Sequence, residues 1–316
     1  MSAGYKKISA CRISDSKNLL SILDLGKQAL TGIFPASADE PVPIASLELV
    51  WCPDSSLIQL AHTYAASEMF GDSYGYRSGL NQSMVNHLTD KVAYLERMVR
   101  PRQGDVIVDI GSNDATTLKA YHTPGLQRIG IDPTANKFRA FYPEDIQLVP
   151  DFFSAEAFHS ARPRGKARIV TSIAMFYDLE HPIEFARQIG SILADDGVWH
   201  LEQSYLPAML RTNSYDTICH EHLEYYSLQT IRAIMEAAHL QIVDVVQNDI
   251  NGGSFAITVA KEGNDSIPVN KAVIRWMLEQ ELRMGLHTQR PYQFTPGKQR
   301  DAAAQQQQFQ IGRASC

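Results

Sequence analysis

The chain has 316 residues, of which 44% are hydrophobic and 20% charged, the composition of an ordinary soluble globular protein. Its formal net charge of −6 argues against nucleic acid or an anionic membrane as the main partner, because a phosphate-binding surface normally needs a basic excess. No apolar run approaches the roughly 18 residues of a membrane span, and the N-terminus lacks a signal-peptide core, so we expect a cytoplasmic protein. Its four cysteines are too few and too scattered for a disulfide framework.

The first quarter of the chain, residues 1–82, consists of short apolar pieces separated by proline, glycine and other turn residues, which predicts a small loop-rich module with a few strands. A helix is predicted over residues 83–99, with Ser83 as its cap. Its apolar residues recur at steps of three and four and indicate a core-facing stripe, formed by Met84, Leu88, Val92, Leu95 and Met98.

Strands and helices then alternate, which is typical of a parallel α/β sheet. The predicted strands are 106–110, 128–132, 146–149, 168–173, 197–203, 241–247 and 254–260. The clearest helical segment begins at Pro182 and is expected to end at Gly197. This order favours a Rossmann-like methyltransferase core over residues 83–262. Residues 263–316 are predicted to begin a C-terminal domain that is incomplete, with a helix near 269–286 and a low-complexity glutamine-rich tail.

A polar turn follows the first of these strands, in "VIVDIGSNDATTL". Ligands bind at the carboxyl edge of open α/β sheets, and a glycine there lets a ligand approach the backbone. A dinucleotide site would need G-x-G-x-x-G, whereas this turn carries acidic and amide residues that would repel a pyrophosphate. The turn therefore argues against NAD and favours S-adenosylmethionine, whose ammonium and sulfonium groups are cationic. The residues assigned to the cofactor here are Asp109, Gly111, Ser112 and Asn113.

Other residues at the same edge are predicted to complete the cofactor site. Asp132 closes the second strand, where a carboxylate can accept hydrogen bonds from both ribose hydroxyls. Met175 and Phe176 follow the fourth strand and could cover the adenine or the methionine end. Pro133 and Phe153 are assigned with them. The competing interpretation is a solvated strand–turn–helix without a ligand; Ala115 stands where many such loops carry a second glycine.

Taken together in this order, several motifs resemble those of the sugar C-methyltransferases, which use S-adenosylmethionine to methylate nucleotide-linked deoxy-keto sugars. The motifs are "LLSILDLGKQAL", "WCPDSSLIQL", "YGYRSG", "VDIGSND", "YDTICHEHLEYYS" and "NGGS". The resemblance implies a zinc-binding N-terminal module, a central methyltransferase domain and a C-terminal Rossmann-like domain. It also implies a nucleotide-linked sugar as substrate, in deoxysugar biosynthesis.

The N-terminal module departs from the pattern that the resemblance implies, which is two C-x-x-C pairs. Here the pairs read Cys11 with Ser14 and Cys52 with Ser55. Structural zinc takes four good ligands, typically cysteine or histidine, and a serine hydroxyl is not readily ionised. We expect the fold of the module to survive, with Cys11 and Cys52 as the remaining two zinc ligands and the metal absent or weakly bound.

The segment "CHEHLE" carries the residues that the resemblance places in the active site. Removing a proton next to a ketone needs a base poised near neutral pH, and histidine is the side chain closest to that. His222 is the predicted base, with Glu221 orienting it or binding the sugar and His220 as the second choice. The enolate oxygen needs a hydrogen-bond donor, for which Tyr74 and Tyr76 are the candidates. Cys219 stands where the family often has a tyrosine, so part of this support is expected to differ.

Two other interpretations of the histidines stay open. They could bind a metal, although residues two apart share a face only on a strand and a catalytic zinc would need a third protein ligand. They could also belong to a buried hydrogen-bond network.

The residues assigned to the substrate follow the later strands and are Glu202, Tyr205, Asn251, Gly252 and Gly253. The last three belong to "NGGS", which fits either an oxyanion-binding loop or a tight hairpin turn. An O-methyltransferase and an inactive cofactor-binding scaffold remain as alternative functions.

Overall fold

A computed structural model of the chain describes residues 4–31, 33, 37, 41–70, 74–162 and 164–293. Within them lie thirteen strands in three sheets and nine α-helices. The strands are β1 Tyr5–Lys7, β2 Leu20–Ala29, β3 Ile44–Trp51, β4 Ile58–Leu60, β5 His62–Tyr64, β6 Val106–Ile110, β7 Gln127–Ile131, β8 Ile146–Val149, β9 Ala167–Ile173, β10 Leu193–Ser204, β11 Glu224–Tyr225, β12 Leu240–Asn248 and β13 Ser254–Lys261. The helices are α1 Ala66–Met69, α2 Gln82–Val99, α3 Thr116–Lys119, α4 Ala135–Phe138, α5 Ala155–Ala161, α6 Pro182–Ile192, α7 Leu206–Thr212, α8 Leu228–Ala237 and α9 Lys271–Met284.

The large sheet has seven strands in the order β12-β13-β10-β9-β6-β7-β8. β10, β9, β6, β7 and β8 pair in parallel, whereas β13 is antiparallel to both β10 and β12. β6 is buried at all five positions, as expected for a central strand covered on both faces. The parallel sheet with its closing antiparallel pair confirms the predicted Rossmann-like α/β class.

The strand order reverses between β6 and β9. From β6 the chain continues outward to β7 and β8, and then returns to place β9 on the other side of β6. In open α/β sheets a ligand crevice forms beyond the carboxyl ends of the strands at such a reversal. The turns that follow β6 and β9 therefore border the expected binding crevice.

The N-terminal module forms a four-stranded antiparallel sheet, but its fourth strand comes from far along the chain. The order is β11-β4-β3-β2, so that β11 pairs with β4 through Glu224 opposite Gln59 and Tyr225 opposite Ile58. The N–H of Leu60 also donates to the carbonyl of Leu223 at 2.8 Å. The segment just after the two histidines thus completes the N-terminal sheet, and we refer to these four strands as the N-terminal sheet.

Helix α2 confirms the predicted helix but not its predicted cap. The side chain of Asn81 accepts a hydrogen bond from the N–H of Ser83, so Asn81 is the N-cap and Ser83 lies inside the first turn. Leu88, Val92 and Leu95 of the predicted stripe are buried.

The helix predicted to end at Gly197 ends at Ile192 instead, and β10 begins at Leu193. Gly197 lies within the strand, beside a register shift between Leu193 and Val198. A side chain at this position would approach the carbonyl oxygen of Ala167 to 2.7 Å. The glycine is therefore required for close contact with β9 rather than for helix termination.

The end of the described chain packs against the large unit. Glu281 of α9 is 1% exposed and accepts hydrogen bonds from the N–H groups of Leu228 and Gln229, at the N-terminus of α8. Helix α9, which follows the boundary predicted at residue 263, therefore packs on α8, which precedes it. The division into domains at that residue stays a prediction. The glutamine-rich tail lies outside the described residues.

Within the described ranges, no helix is long and apolar enough to cross a membrane.

Candidate active site

The turn after β6 opens at Gly111, which has a φ of +72° and is exposed at the edge of the large sheet. Met175, from the turn after β9, lies next to it, since a Cβ on Gly111 would be 3.4 Å from Met175 Cγ. Two of the predicted cofactor residues, from the two strands that flank the reversal, are thus brought together. A glycine here keeps the backbone open to a ligand.

Asp132 ties the end of β7 to the same turn. Its Oδ2 accepts a hydrogen bond from the N–H of Asn113 at 2.8 Å, and its Oδ1 accepts from the N–H and Oγ1 of Thr134 at 2.6 and 2.7 Å. The carboxylate is 5% exposed and has about four acceptor positions. It is therefore held in a fixed orientation at the edge where a ribose would be bound.

The same turn also binds the segment "YRSG" of residues 76–79. Asn113 donates from Nδ2 to the carbonyl of Tyr76 and accepts at Oδ1 from the N–H of Ser78, both at 3.0 Å. Asp114, 2% exposed, accepts from the N–H of Gly79 at 3.0 Å. A Cβ on Gly79 would lie 2.4 Å from that carboxylate, so the close approach requires glycine. The predicted cofactor turn and the segment carrying Tyr76 therefore form one connected unit.

Asp109 is placed inside the sheet rather than at its edge. It is 3% exposed, and its Oδ1 accepts a hydrogen bond from Thr171 Oγ1 of β9 at 2.5 Å. Burial raises the pKa of Asp109 to about 7, although hydrogen bonds from Thr171 and Thr117 act in the opposite direction. The side chain links β6 to β9 beneath the turn, and its contribution to a cofactor site is to fix that turn.

Ser112 is also turned inward. Its hydroxyl is 2.8 Å from Tyr142 Oη, and Tyr142 donates to the carbonyl of Asn113 at 2.9 Å. Tyr142, which the sequence did not single out, thus supports the backbone of the turn from below.

His222 lies between the N-terminal sheet and the edge of the large sheet. Its ring centroid is 3.9 Å from that of Tyr177, which follows Met175 and Phe176 after β9. Its Nδ1 is 2.9 Å from the carbonyl oxygen of Thr217. Because a carbonyl can only accept, Nδ1 carries the proton, and the neutral ring has its lone pair on Nε2. A histidine in this tautomer can act as a base through Nε2.

His220 faces the opposite way, into the N-terminal sheet. It is 1% exposed, its ring stands edge-on to Tyr64 at 4.9 Å, and its backbone N–H donates to Thr31 Oγ1 at 3.0 Å. Burial lowers the pKa of His220 to about 4. The two histidines therefore do not converge on a common point, as a shared metal would require. Among the residues that the structure describes, no group of three or more histidine, cysteine, aspartate or glutamate side chains could hold a metal ion.

Acidic and phenolic groups surround the outer end of the motif. Thr31 donates a short hydrogen bond to Glu221 Oε2. Burial, then the charges of Asp178, Asp132 and Glu221, raise the pKa of Tyr74, so that this phenol stays protonated and able to donate. Burial and the charge of Glu221 raise the pKa of Asp178 well above its usual range. The pKa of Tyr74 is thus raised both by Asp132, which lies in the predicted cofactor site, and by Glu221, which lies between the two histidines.

Tyr76 is 44% exposed. The buried part of its side chain still raises the pKa of the phenol. Its backbone is fixed by Asn113, as described above. Of the two candidate donors, Tyr74 is the one whose pKa responds to the charges of both Asp132 and Glu221.

Glu202 reaches toward α2 and is already engaged by cations. Its carboxylate contacts His87 Nε2 and Lys91 Nζ, each at 2.5 Å, and accepts from Asn248 Nδ2 at 2.7 Å. Burial alone would raise the pKa of Glu202, but the hydrogen bond from His87 and the charge of Lys91 lower it to about 2. The predicted substrate contact is thus revised, because this carboxylate anchors α2 to β10.

Two aromatic assignments are corrected by the packing. Phe176 is fully buried, with its ring 5.2 Å from Trp199 and stacked on Tyr226 at 5.5 Å, so it supports the core rather than the cofactor. Tyr205 is 5% exposed and donates to Glu281 at 2.8 Å, away from the histidines and toward α9. Both are aromatic residues that follow a strand, where sequence alone does not separate a core ring from a ligand-covering ring.

Two remaining cofactor assignments lie partly exposed at the edge of the sheet. Pro133 directly follows Asp132, and Phe153 packs on Phe185 with ring centroids 5.0 Å apart.

The "NGG" segment forms the turn of the β12–β13 hairpin. Asn251, Gly252 and Gly253 have φ values of +53°, +79° and +122°. A Cβ on Gly253 would be 2.6 Å from Ala208 Cβ of α7, so this glycine is needed for packing. The segment belongs to a hairpin loop over residues 249–253, and its predicted contact with the substrate stays a prediction.

Three groups that sequence reasoning did not select belong to this region. Asp178 follows Tyr177 directly and is the first of two acidic residues in "MFYDLEHP", which is the signal that could have identified it. Gln203, next to Glu202 near the end of β10, is 2% exposed, and neither of its amide atoms has a hydrogen-bond partner among the described residues. Thr31 lies 189 residues from His220 in sequence, so no local signal pointed to it.

The four positions of the two C-x-x-S pairs do come together. Cys11 Sγ is 3.2 Å from Ser55 Oγ, and Ser14 Oγ is 3.6 Å from Cys52 Sγ. Both cysteines are buried and free. The module therefore keeps its paired turns, as expected from the sequence.

Comparisons with known proteins identify the families that the chain resembles. Residues 83–245 match the family described as "Methyltransferase domain", and residues 11–70 match the one described as "Putative zinc binding domain". The chain is 28% identical over 284 residues to the C-methyltransferase NovU of Streptomyces niveus, covering 89% of this chain and 67% of that protein.

Solved structures with a similar arrangement include an S-adenosylmethionine-dependent methyltransferase from Clostridium acetobutylicum and the CcbJ methyltransferase from Streptomyces caelestis. The first is 11% identical, with a TM-score of 0.43 over 57% of this chain and 92% of that one. The second is 12% identical, with a TM-score of 0.41 over 55% and 89%.

The matched region covers more than half of the chain, and it contains the seven-stranded sheet's parallel strands, the Gly111 turn and the histidine motif. The resemblance stated from the sequence is thereby confirmed at the level of the family. The chain belongs to the methyltransferase-domain family and is an S-adenosylmethionine-dependent methyltransferase that carries an N-terminal module of the zinc-binding type.

Proposed function

We propose that the enzyme methylates a carbon atom of a nucleotide-linked keto-deoxysugar, with His222 as the base. The observation that carries this proposal is the hydrogen bond from His222 Nδ1 to the carbonyl of Thr217, which leaves the lone pair on Nε2. The relation to a protein described as a C-methyltransferase supports the choice of carbon as the acceptor.

The proposed first step is removal of the proton next to the sugar ketone. His222 Nε2 accepts that proton, and the bond to Thr217 is kept when the ring becomes a cation, because Nδ1 remains a donor. Histidine suits this role because its ordinary pKa of about 6.5 lies near the operating pH. The electron pair of the broken C–H bond forms a double bond to the carbonyl carbon, and the π pair of the ketone moves to its oxygen, which gives the enolate.

The enolate oxygen requires a donor that stays protonated. Tyr74 meets this requirement, since burial and nearby carboxylates raise the pKa of its phenol. A donor fixed before the reaction stabilises developing charge without reorganisation. Cys219 is 7% exposed, and burial followed by the charge of Glu221 raises the pKa of its thiol, so it stays a neutral neighbour of the motif.

S-adenosylmethionine supplies the electrophilic methyl group when it is bound. Gly111, Met175 and Asp132 are the residues proposed to hold it, with Asp132 accepting from the ribose hydroxyls. The chain's own contribution to methyl transfer is positioning, since Asn113 joins the backbone of this turn to Tyr76 and to Asp132.

The test is incubation of the full chain with methyl-labelled cofactor and a panel of nucleotide-linked 4-keto sugars in deuterated water. C-methylation predicts a labelled methyl group on the carbon next to the ketone, in place of its proton, and deuterium at that same carbon in the sugar recovered without methylation. Label in a sugar hydroxyl without exchange would replace the proposal with O-methylation. Cofactor binding without turnover on any sugar would indicate an inactive scaffold.

A further inference from the structure

The N-terminal module contains two turns with the same backbone geometry, at residues 11–15 and 52–56. In the first, the N–H of Asp15 donates to the carbonyl of Cys11 at 3.0 Å; in the second, the N–H of Ser56 donates to the carbonyl of Cys52 at 2.8 Å. Asp15 and Ser56 also share a positive φ, +56° and +61°. The two turns are therefore structural repeats that face each other.

Two hydrogen bonds cross from one turn to the other. Cys11 of the first turn pairs with Ser55 of the second at 3.2 Å, and Ser14 of the first pairs with Cys52 of the second at 3.6 Å. The two cysteines are 1% and 0% exposed and belong to the main hydrophobic core. Each thiol thus has a hydroxyl partner across the interface and no access to solvent.

This donor set does not fit zinc. Structural zinc sites are closed by four cysteine or histidine ligands, and here the four converging side chains are two thiols and two hydroxyls. A thiol must lose its proton to bind the metal, and a serine hydroxyl ionises far less readily. Over the described ranges no third histidine, cysteine or acidic side chain joins Cys11 and Cys52 in a metal-binding group.

Arg12, inside the first turn, makes the long-range connections that a structural metal would otherwise provide. Its guanidinium is 3% exposed and donates to Gln59 Oε1, to the carbonyls of Leu60 and His62, and to Thr63 Oγ1, at 2.9 to 3.2 Å. It also forms an ion pair with Glu224 of β11 at 3.5 Å. Arg12 thus links the first turn to β4, β5 and β11.

We infer that the paired turns form a metal-independent joint, in which the Cys11–Ser55 and Ser14–Cys52 hydrogen bonds replace the bonds to zinc. Cysteine at positions 14 and 55 would place four thiols where Cys11, Ser14, Cys52 and Ser55 now form hydrogen bonds, and would convert the paired turns into a zinc site. The inference concerns the module and is independent of the proposed reaction.

The test begins with the full wild-type chain, loaded with zinc chloride, passed through gel filtration and measured for zinc by elemental analysis. We expect far less than one zinc per chain, and a Tm that neither added zinc nor EDTA changes. The Ser14→Cys, Ser55→Cys double variant should retain one zinc per chain, gain several degrees in Tm with zinc and lose them again with EDTA.

A Ser14→Ala, Ser55→Ala variant is the matched control. It removes both crossing hydrogen bonds and should lower Tm without making it sensitive to zinc or EDTA. One zinc retained per wild-type chain, or a wild-type Tm that falls with EDTA, would overturn the inference. So would an alanine variant with the wild-type Tm, or a folded double-cysteine variant that retains no zinc.

Discussion

The segment formed by residues 219–224 lies between the N-terminal sheet and the carboxyl edge of the large sheet, and its two histidines have different surroundings. His220 lies 1% exposed against Tyr64 of the N-terminal module, with a pKa lowered to about 4 by burial. His222, two residues later, is half-buried beside Tyr177 with its tautomer set by Thr217. The difference shows that burial and hydrogen-bond partners, rather than residue type, separate a structural histidine from a candidate base.

The largest expected effect is on the side of the large sheet. Replacing His222 by alanine removes the proposed base and should lower kcat by about 10²–10⁴-fold, the usual range for loss of a general base. Cofactor affinity, measured by calorimetry, should change little. A variant that loses cofactor affinity and thermal stability together, with no specific loss of kcat, would instead make His222 structural.

On the N-terminal side the largest effect should be on stability. Arg12→Leu removes the hydrogen bonds that the buried guanidinium donates within the module and the cation beside Glu224, whose pKa burial already raises well above its usual range. The loss of these buried, charge-assisted contacts should cost about 3–5 kcal/mol in free energy of unfolding. Lys7→Met is the matched control in the same module, because Lys7 pairs with Glu48 at 3.5 Å while 67% exposed. Its cost should be about 1 kcal/mol or less. Equal unfolding midpoints in urea for the two variants would contradict this contrast.

Cofactor affinity should depend on Asp132. Asp132→Ala removes a charged acceptor at the cofactor edge and should weaken S-adenosylmethionine binding by about 1–3 kcal/mol in calorimetry. Thr134→Val removes one of the groups that donate to the same carboxylate and should cost about 1 kcal/mol or less. An unchanged affinity in Asp132→Ala, or tight binding of NAD by the wild type, would refute the assignment.

The last effect, a change of stability with pH, concerns His220. In the unfolded chain His220 takes up a proton near its ordinary pKa of about 6.5, whereas in the folded chain it does so near 4. Between these values the unfolded state binds more protons, so the free energy of unfolding falls as pH falls. One proton contributes up to about 1.4 kcal/mol per pH unit.

The comparison that isolates this term is wild type against His220→Asn, by urea unfolding at a series of pH values. The stability advantage of the wild type should shrink as pH decreases from about 6.5 to about 4. His200, whose pKa burial lowers to about 3, titrates similarly and remains in both proteins. Parallel curves for the two proteins would show that His220 does not titrate as proposed.

The sequence predicted the large sheet well because its strands are buried on both faces and read as continuous apolar runs. β6 and β8 match their predicted bounds, and the polar turn after β6 lies at the predicted edge. The sequence signals for the ends of helices were less reliable. Ser83 and Gly197 fit helix-end patterns, but Asn81 makes the capping bond and Gly197 serves strand packing.

The candidate site was predicted only in part, because its arrangement depends on contacts between distant segments. Thr31 with His220 and Arg12 with Glu224 each join residues about 200 positions apart, which no local periodicity encodes. Phe176 and Tyr205 illustrate a second limit. An aromatic residue at a strand end fits both a core and a ligand site, and only the packing against Trp199 and Glu281 assigns them.

The most direct measurement of the central claim is exchange of the sugar's α proton into deuterated water, followed by NMR with S-adenosylhomocysteine in place of the methyl donor. It isolates proton removal from methyl transfer. The account predicts exchange by the wild type and by His220→Asn, and its loss in His222→Ala while S-adenosylhomocysteine still binds. Exchange at the wild-type rate in His222→Ala, with loss in His220→Asn, would assign the base to His220 and contradict the account.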